Sequence, residues 1–206
     1  NGHIEYIDGF PGGESGKKRL VSSMGMWKER LWLMPFSEGR ACSYDVASGC
    51  WKVYELPEQW REENGRQTFL AGKQIGRYYF GFTSRRCGVM KLDMETGDIK
   101  YSEGNQQKLE EIAACNSGII CRQDCCEVEG KLYAACLRGN IVLAYDLDRE
   151  ETEMYQVGSI NNRYITIAHD GRAFWLTTKE GTVIRWENGT DDIREFTVDI
   201  SGYHMD

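Results

Sequence analysis

The residues here that could bind or react are a glycine–lysine stretch near the start, eight cysteines, three histidines and a scatter of arginines. Gly12-Gly13-Glu14-Ser15-Gly16-Lys17-Lys18 has the composition of a phosphate-cradling loop. That chemistry needs backbone N–H groups freed by glycine around the phosphate, a lysine on its outer oxygens and a following hydroxyl for the metal. The spacing fails, because Pro11 stands where the first glycine is required and Lys18 where the hydroxyl is required. The stretch reads as a flexible loop.

The cysteines are Cys42, Cys50, Cys87, Cys115, Cys121, Cys125, Cys126 and Cys136. The cluster from Cys115 to Cys136 lacks a C-x-x-C pair, the spacing that presents two thiolates to zinc from one turn. At this density they are not a disulfide scaffold either. Reduced, mostly buried thiols are expected, which mildly favours a cytoplasmic home, and no cofactor or metal is implied. There is no H-E-x-x-H, no G-x-S-x-G and no cysteine with a histidine signature; His3 and His204 lie near the termini and His169 reads as part of a turn. Asn188-Gly189-Thr190 fits a glycosylation sequon, but an Asn-Gly hairpin turn explains it. No catalytic residue is assigned.

What positions these residues is a repeat. RLWLMPFSEGRACSYDVASGCWKVYEL, RYYFGFTSRRCGVMKLDMETGDIKYSE, KLYAACLRGNIVLAYDLDREETEMYQV and RAFWLTTKEGTVIRWENGTDDIREFTV share one plan. Each has an aromatic-rich run, a polar turn, an apolar run ending in an acidic residue, a second turn and a further run with an aromatic. The acidic positions Asp45, Asp93, Asp146 and Glu187 recur at intervals of 41 to 53 residues. Short β-branched or aromatic runs bounded by Gly, Asn or Asp read as strands. A fourth run precedes each set, at 20–26, 68–73, 118–123 and 164–169. Four strands at this period make a propeller blade, so the fold class is all-β: a β-propeller with four visible four-stranded blades.

The expected blades are 20–56, 68–103, 118–157 and 164–199. Residues 1–19 supply an outer strand at 3–7, from a preceding or closing blade, and a loop. The set is either a small ring or part of a six- or seven-bladed one, and the second is favoured because four-bladed rings are uncommon and an open array exposes edge strands. Asp45 to Gly49 and Asp93 to Gly97 predict turns in which the carboxylate caps nearby N–H groups and glycine takes a positive φ. Different turns are expected at Asp148-Arg149-Glu150 and Asn188-Gly189. Residues 106–114 are the one helical pattern, read as an insertion between blades. Trp32, Tyr79, Tyr133 and Trp175 are read as equivalent core positions rather than a sugar-stacking ladder.

In the fourth repeat, His169-Asp170-Gly171, Trp175, Thr177, Gly181 and Arg185 resemble the two-component-regulator propeller repeat and the repeat of the virginiamycin B lyase family; the other three fit loosely. The resemblance implies a propeller. It leaves function open between sensor ectodomains and a metal-dependent lyase, and no histidine is placed to match a lyase site.

A formal charge of -7 argues against nucleic acid as a partner, and no apolar run is long enough for a membrane span. In a propeller the connections alternate between two ends of the ring. The turns within each blade's middle hairpin carry Arg40, Arg85, Arg86, Arg138 and Lys179, and the connections between blades add Lys17, Lys18, Arg19, Arg61, Arg66, Lys108 and Arg163. Acids, among them Glu29, Asp98, Glu127, Glu129, Asp148, Glu150, Glu151, Asp170, Asp191 and Asp192, gather at the opposite end. Guanidinium groups pair bidentately with carboxylate or phosphate. The expectation is a non-catalytic binding or scaffold propeller taking an anionic small molecule, glycan or protein on a rim formed by Arg19, Arg40, Arg66, Arg85, Arg86, Arg138, Arg163 and Lys179. The alternative is a lyase or glycan-active propeller enzyme with its site partly in further blades.

Overall fold

The computed structural model describes residues 11, 21–35, 40–56, 69–83, 88–102, 121–137 and 139–198. They form sixteen strands: β1 (Val21–Trp27), β2 (Arg30–Pro35), β3 (Arg40–Asp45), β4 (Cys50–Glu55), β5 (Phe69–Ile75), β6 (Tyr78–Thr83), β7 (Val89–Asp93), β8 (Ile99–Ser102), β9 (Cys121–Val128), β10 (Lys131–Cys136), β11 (Ile141–Asp146), β12 (Glu151–Gln156), β13 (Tyr164–His169), β14 (Phe174–Thr178), β15 (Thr182–Trp186) and β16 (Ile193–Thr197). They assemble as four antiparallel four-stranded sheets, each a simple meander in chain order. This is the architecture of propeller blades. No helix occurs among the described residues, and residues 1–10 and 106–114, with the strand and helix expected there, lie outside them. The inner strand of the third blade runs over Cys121–Val128, past the end of the stretch its sequence suggested.

The turns that close β3–β4, β7–β8 and β11–β12 share one chemistry. Asp45 Oδ1 accepts from the backbone N–H of Ser48 at 2.9 Å, and Gly49 N–H donates to the Asp45 carbonyl at 2.9 Å with φ of 69°. Asp93 does the same for Glu95 N–H, with Gly97 closing the turn at φ 86°. The third turn, expected to differ, is the same turn. Asp146 caps Asp148 and Arg149, and Glu150 closes it with φ of 56°, a non-glycine residue accepting the left-handed region. Only the Glu187–Asp192 turn departs, closing through Thr190 N–H on the Glu187 carbonyl with Gly189 at φ 74°.

The register decides which side chains face which neighbour, because residues alternate between the two sheet faces. Trp32 and Met34 of the first sheet meet Tyr79, Met90 and Leu92 of the second. Phe80, Phe82 and Val89, on the second sheet's other face, meet Leu132, Leu143 and Tyr145 of the third. Tyr133, Ala135, Val142 and Ala144 meet Phe174, Leu176, Ile184 and Trp186 of the fourth. The first strands of successive sheets pack in the order β1, β5, β9, β13, and no comparable packing joins β13 to β1.

Polar staples cross each seam. The Gln74 side chain pairs with both the N–H and the carbonyl of Met26 at 2.9 and 2.7 Å, as a strand neighbour would. Lys91 reaches Glu150 at 2.7 Å, and Asn188 Nδ2 donates to the Tyr133 hydroxyl at 2.7 Å.

This register corrects one equivalence. Trp32, Tyr133 and Trp175 pair with Ser43, Ala144 and Arg185, each two residues before the acidic position, and in the second blade that place belongs to Phe80, opposite Lys91. Tyr79 points the other way, buried against the first blade with its hydroxyl bonded to Ser23. Trp32, Tyr79 and Tyr133 are core, whereas Trp175 is only half-buried.

Gly97 sits where the turn meets the seam: a Cβ there would lie 2.1 Å from the ring of Tyr54. Replacing Gly97 with alanine adds backbone strain to that clash. Urea unfolding of Gly97→Ala is expected to give a loss of more than about 1 kcal/mol, while Gly130→Ala, at a positive φ with open space around it, loses less.

Candidate functional site

Antiparallel meanders place the β1–β2 and β3–β4 turns, and their counterparts, at one end of the blades, with the remaining connections at the other. The rim expected at the second end is described only in part. Arg19, Arg66, Arg85, Arg86 and Arg138 lie outside the described residues, as do Lys17, Lys18, Arg61 and Lys108. Arg40, Arg163 and Lys179 are described.

Arg40 opens β3 and its guanidinium is engaged, with Nε 3.5 Å from Glu55. Arg163 and Lys179, both exposed, are brought side by side: Lys179 N–H donates to the Arg163 carbonyl at 3.2 Å, which fixes the β14–β15 turn against the start of β13. Neither cation is in an ion pair among the described residues. The backbone bond thus brings two exposed cationic residues into adjacent positions at this end.

The connection leading into Arg163 is braced from below. Glu195 Oε1 accepts from Ser159 N–H at 3.0 Å and from Asn162 Nδ2 at 3.2 Å. Buried Asn140 donates its Nδ2 to the Gly158 carbonyl at 2.9 Å, and the Tyr164 hydroxyl donates to the Val157 carbonyl. Held this way, residues 158–162 present Ile160 to solvent with 68% of its surface exposed, three positions before Arg163 in the same connection. Sequence reading missed Ile160; the only signal was an isoleucine inside a polar stretch, Gly-Ser-Ile-Asn-Asn.

The opposite end spends its acids on structure. Asp170 accepts from the backbone N–H groups of Arg172 and Ala173 at 2.8 Å each and from Trp175 Nε1 at 2.7 Å. The Trp175 bond first, then the two backbone donors, hold its carboxyl far below the usual carboxylate range. Glu150 is lowered chiefly by its bond to Lys91, and Asp146 by the backbone N–H of Arg149. Asp192 lies 3.7 Å from Arg185 and 3.2 Å from Arg194. Cations share this end: Lys28 pairs with Glu95, Arg30 with Asp45, Arg77 with Asp93 and Arg172 with Glu187. Cations are therefore interspersed among the acids of this end, while Glu29, Asp98, Glu127, Glu129, Asp148, Glu151 and Asp191 are in no ion pair among the described residues.

A groove of about 430 Å³ opens here at the seam of the first two blades, lined by Trp27, Lys28, Glu29, Arg30, Asp45, Met94 and Glu95. Its cations Lys28 and Arg30 already hold the carboxylates of Glu95 and Asp45.

His169 ends β13 rather than sitting in the turn, with its ring on Phe174 and its Nδ1 accepting from Gly171 N–H. Burial pushes the Cys126 thiol up to about 11, which leaves it protonated and unreactive at neutral pH. Among the described residues no group of three or more His, Cys, Asp or Glu side chains is arranged to hold a metal ion. Nor is any helix among them long and apolar enough to cross a membrane.

Comparison with known proteins gives the fold. No family model matches the sequence, and no curated protein does. Among solved structures, a catalytically inactive virginiamycin B lyase from Staphylococcus aureus with quinupristin is similar at TM-score 0.66 and 13% identity, over 91% of this chain and 58% of that one. The extracellular domain of a protein described as a one component system from B. thetaiotaomicron gives 0.63 and 14%, over 91% and 24%. BamB from Moraxella catarrhalis gives 0.62 and 11%, over 94% and 54%. All are β-propellers, and so is the arrangement of this chain. The chain spans a little over half of the lyase and of BamB, and a quarter of the sensor domain.

The depressed Asp170 carboxyl sets a pH dependence with a definite sign. The ionised form is favoured by folding, so its contribution is complete above the ordinary value of 3.8 and is lost as pH falls from there toward the lower folded value. Thermal melts of the wild type and Asp170→Asn are expected to differ by a constant margin above about pH 5 and to converge in more acidic buffer. A margin that widens on acidification contradicts the assignment.

Proposed function

We propose that this chain is a binding or scaffold propeller that recognises an anionic ligand or an acidic protein surface at the end carrying Arg163 and Lys179. The observation that carries this reading is that two exposed cationic residues are joined through the backbone and are in no ion pair among the described residues, with exposed Ile160 in the connection that leads to Arg163. A planar guanidinium and an ammonium held together suit a carboxylate or phosphate, and an apolar neighbour adds contact area that water alone would not favour. The contrast with the other end supports it, since a charge already neutralised by its neighbour has little to offer a ligand. Arg40 belongs to the same end with its charge tied to Glu55, and Arg19, Arg66, Arg85, Arg86 and Arg138 extend the surface by sequence position. The lyase alternative rests on a likeness that extends to the fold alone.

Binding of a fluorescently labelled polyglutamate peptide, followed by anisotropy, tests the assignment. The affinity is expected to fall with added salt, and to fall about tenfold or more in the Arg163→Glu, Lys179→Glu double variant. Arg149→Glu with Arg172→Glu makes the same change in net charge at the opposite end and is expected to leave affinity nearly unchanged. Equal losses in the two double variants would reduce the effect to overall charge and remove the site.

A further inference from the structure

The groove at the seam of the first two blades has a charge balance that its ion pairs do not use up. Lys28, Glu29, Arg30, Asp45 and Glu95 line it, and four of them are matched: Lys28 with Glu95, and Arg30 with Asp45 at 3.6 Å. Both matched acids are held as anions, Glu95 chiefly by its bond to Lys28 and Asp45 chiefly by the backbone N–H of Ser48. Glu29 is the remainder. Its exposed side chain makes no hydrogen bond or ion pair among the described residues, so the groove keeps one net negative charge.

The turn itself does not call for an acid at this place. Lys28-Glu29 joins Trp27 to Arg30, and the matching turns of the next two blades are Gly76-Arg77, between Ile75 and Tyr78, and Glu129-Gly130, between Val128 and Lys131. A glutamate, an arginine and a glycine all serve at the second position. In the second blade Arg77 is tied to Asp93 at 3.0 Å and to Glu95 at 3.7 Å, whereas Glu29 is tied to nothing through its side chain. Nor is Glu29 one of the acids that cap backbone N–H groups, as Asp45, Asp93 and Asp146 do. Its backbone is fixed all the same, because its carbonyl accepts from Val46 N–H at 2.8 Å and so joins the β1–β2 turn to the β3–β4 turn. Lys28 beside it takes φ of 54° where the second blade has Gly76 at 55°, a conformation that disfavours a side chain, and Glu95 holds that side chain from the neighbouring blade. The free carboxylate thus stands on an ordered wall.

We propose that this groove binds an organic cation, a primary ammonium or a guanidinium on a short apolar stem, with the charge at Glu29 and the stem along Trp27 and Met94. Trp27 is half-buried against the core of the seam and Met94 is buried, and these two supply the apolar lining. An indole face attracts a cation electrostatically, and a thioether is a soft, polarisable contact for an alkyl chain. A volume of about 430 Å³ suits a ligand of that size. The field of this end has the matching sign, since Asp98, Glu127 and Glu129 are also in no ion pair among the described residues, and such a field raises the local concentration of cations. A bare metal ion is a poor alternative: one free carboxylate falls short of the oxygen ligands a hard cation gathers, and the indole adds none. A free alkylamine and the lysine or arginine side chain of a peptide offer the same chemistry.

Proton–nitrogen NMR of the 206-residue chain provides the test, read at the indole N–H of Trp27, which is assigned by its loss in Trp27→Phe. Pentylammonium and pentylguanidinium are expected to shift this resonance saturably, with a dissociation constant of about 1 to 10 mM. Pentanol and hexanoate, neutral and anionic on a similar stem, are expected to leave it in place. Glu29→Gln is expected to weaken pentylammonium about fivefold or more, while Glu129→Gln, which removes the same charge from the matching turn of the third blade, leaves it unchanged. A blocked Gly-Lys-Gly peptide that binds more tightly than pentylammonium assigns the cation to a protein side chain, and the reverse order assigns it to a small molecule. Equal losses in the two variants would reduce the effect to the charge of the whole end and overturn the proposal. Hexanoate or pentanol binding as well as the amine overturns it too, as does the lack of any saturable shift at about 50 mM pentylammonium, several times the expected constant. The groove lies at the end away from Arg163 and Lys179, so none of these readouts depends on binding there.

Discussion

Everything in this structure follows from sheets that are apolar on both faces. A sheet with one apolar face can rest against a single partner, but Phe80 and Phe82 on one side of the second sheet and Tyr79, Met90 and Leu92 on the other require a partner on each. The solution is a row of sheets, each the core of the next. Burying apolar surface stabilises by roughly 25 cal/mol per Å², so three such seams outweigh any single polar contact in the chain. The polar staples Gln74, Lys91 and Asn188 then fix how one sheet sits on the next, since apolar packing alone is tolerant of sliding.

The repeat was legible because its signals are local. Asp45, Asp93 and Asp146 mark the end of each third strand, since a carboxylate at that place caps the following turn, and the aromatic runs mark the second strands. What failed was register. The string Tyr78-Tyr79-Phe80 offers three aromatics in a row, and sequence alone cannot say which one faces forward; the two-residue turn at Gly76-Arg77 decides it, and it selects Phe80. Glu150 was misjudged for a similar reason. Its side chain argues against a left-handed φ, yet its neighbours and the Lys91 contact hold it there, so a tertiary interaction overrode a local preference.

The candidate site was legible only as a class of residue at one end. That Arg163 and Lys179 meet depends on a backbone hydrogen bond between segments separated by a strand pair, and that the connection before them stands upright depends on Glu195, more than thirty residues further along. A charge count could nominate these cations. It could not tell them from Arg40, whose equal charge is held by Glu55 on the adjoining strand.

The division of labour between the two ends has a structural cause. Tight turns at the Asp45, Asp93 and Asp146 positions need a carboxylate to satisfy backbone N–H groups, so acids collect there for reasons unrelated to ligands, and cations such as Arg30 and Arg77 follow to offset them. Those turns are short and alike in the first three blades, which leaves little room to vary. The connections between blades are under no such restriction: they run over residues 56–68, 103–120 and 157–163, with unequal lengths and no shared sequence. Of these, the last is held rigid by Glu195, Asn140 and Tyr164 while exposing a cation and an isoleucine. An ordered backbone that presents side chains to solvent has already met the entropic cost of ordering a binding loop, which is the physical ground for proposing recognition at this end.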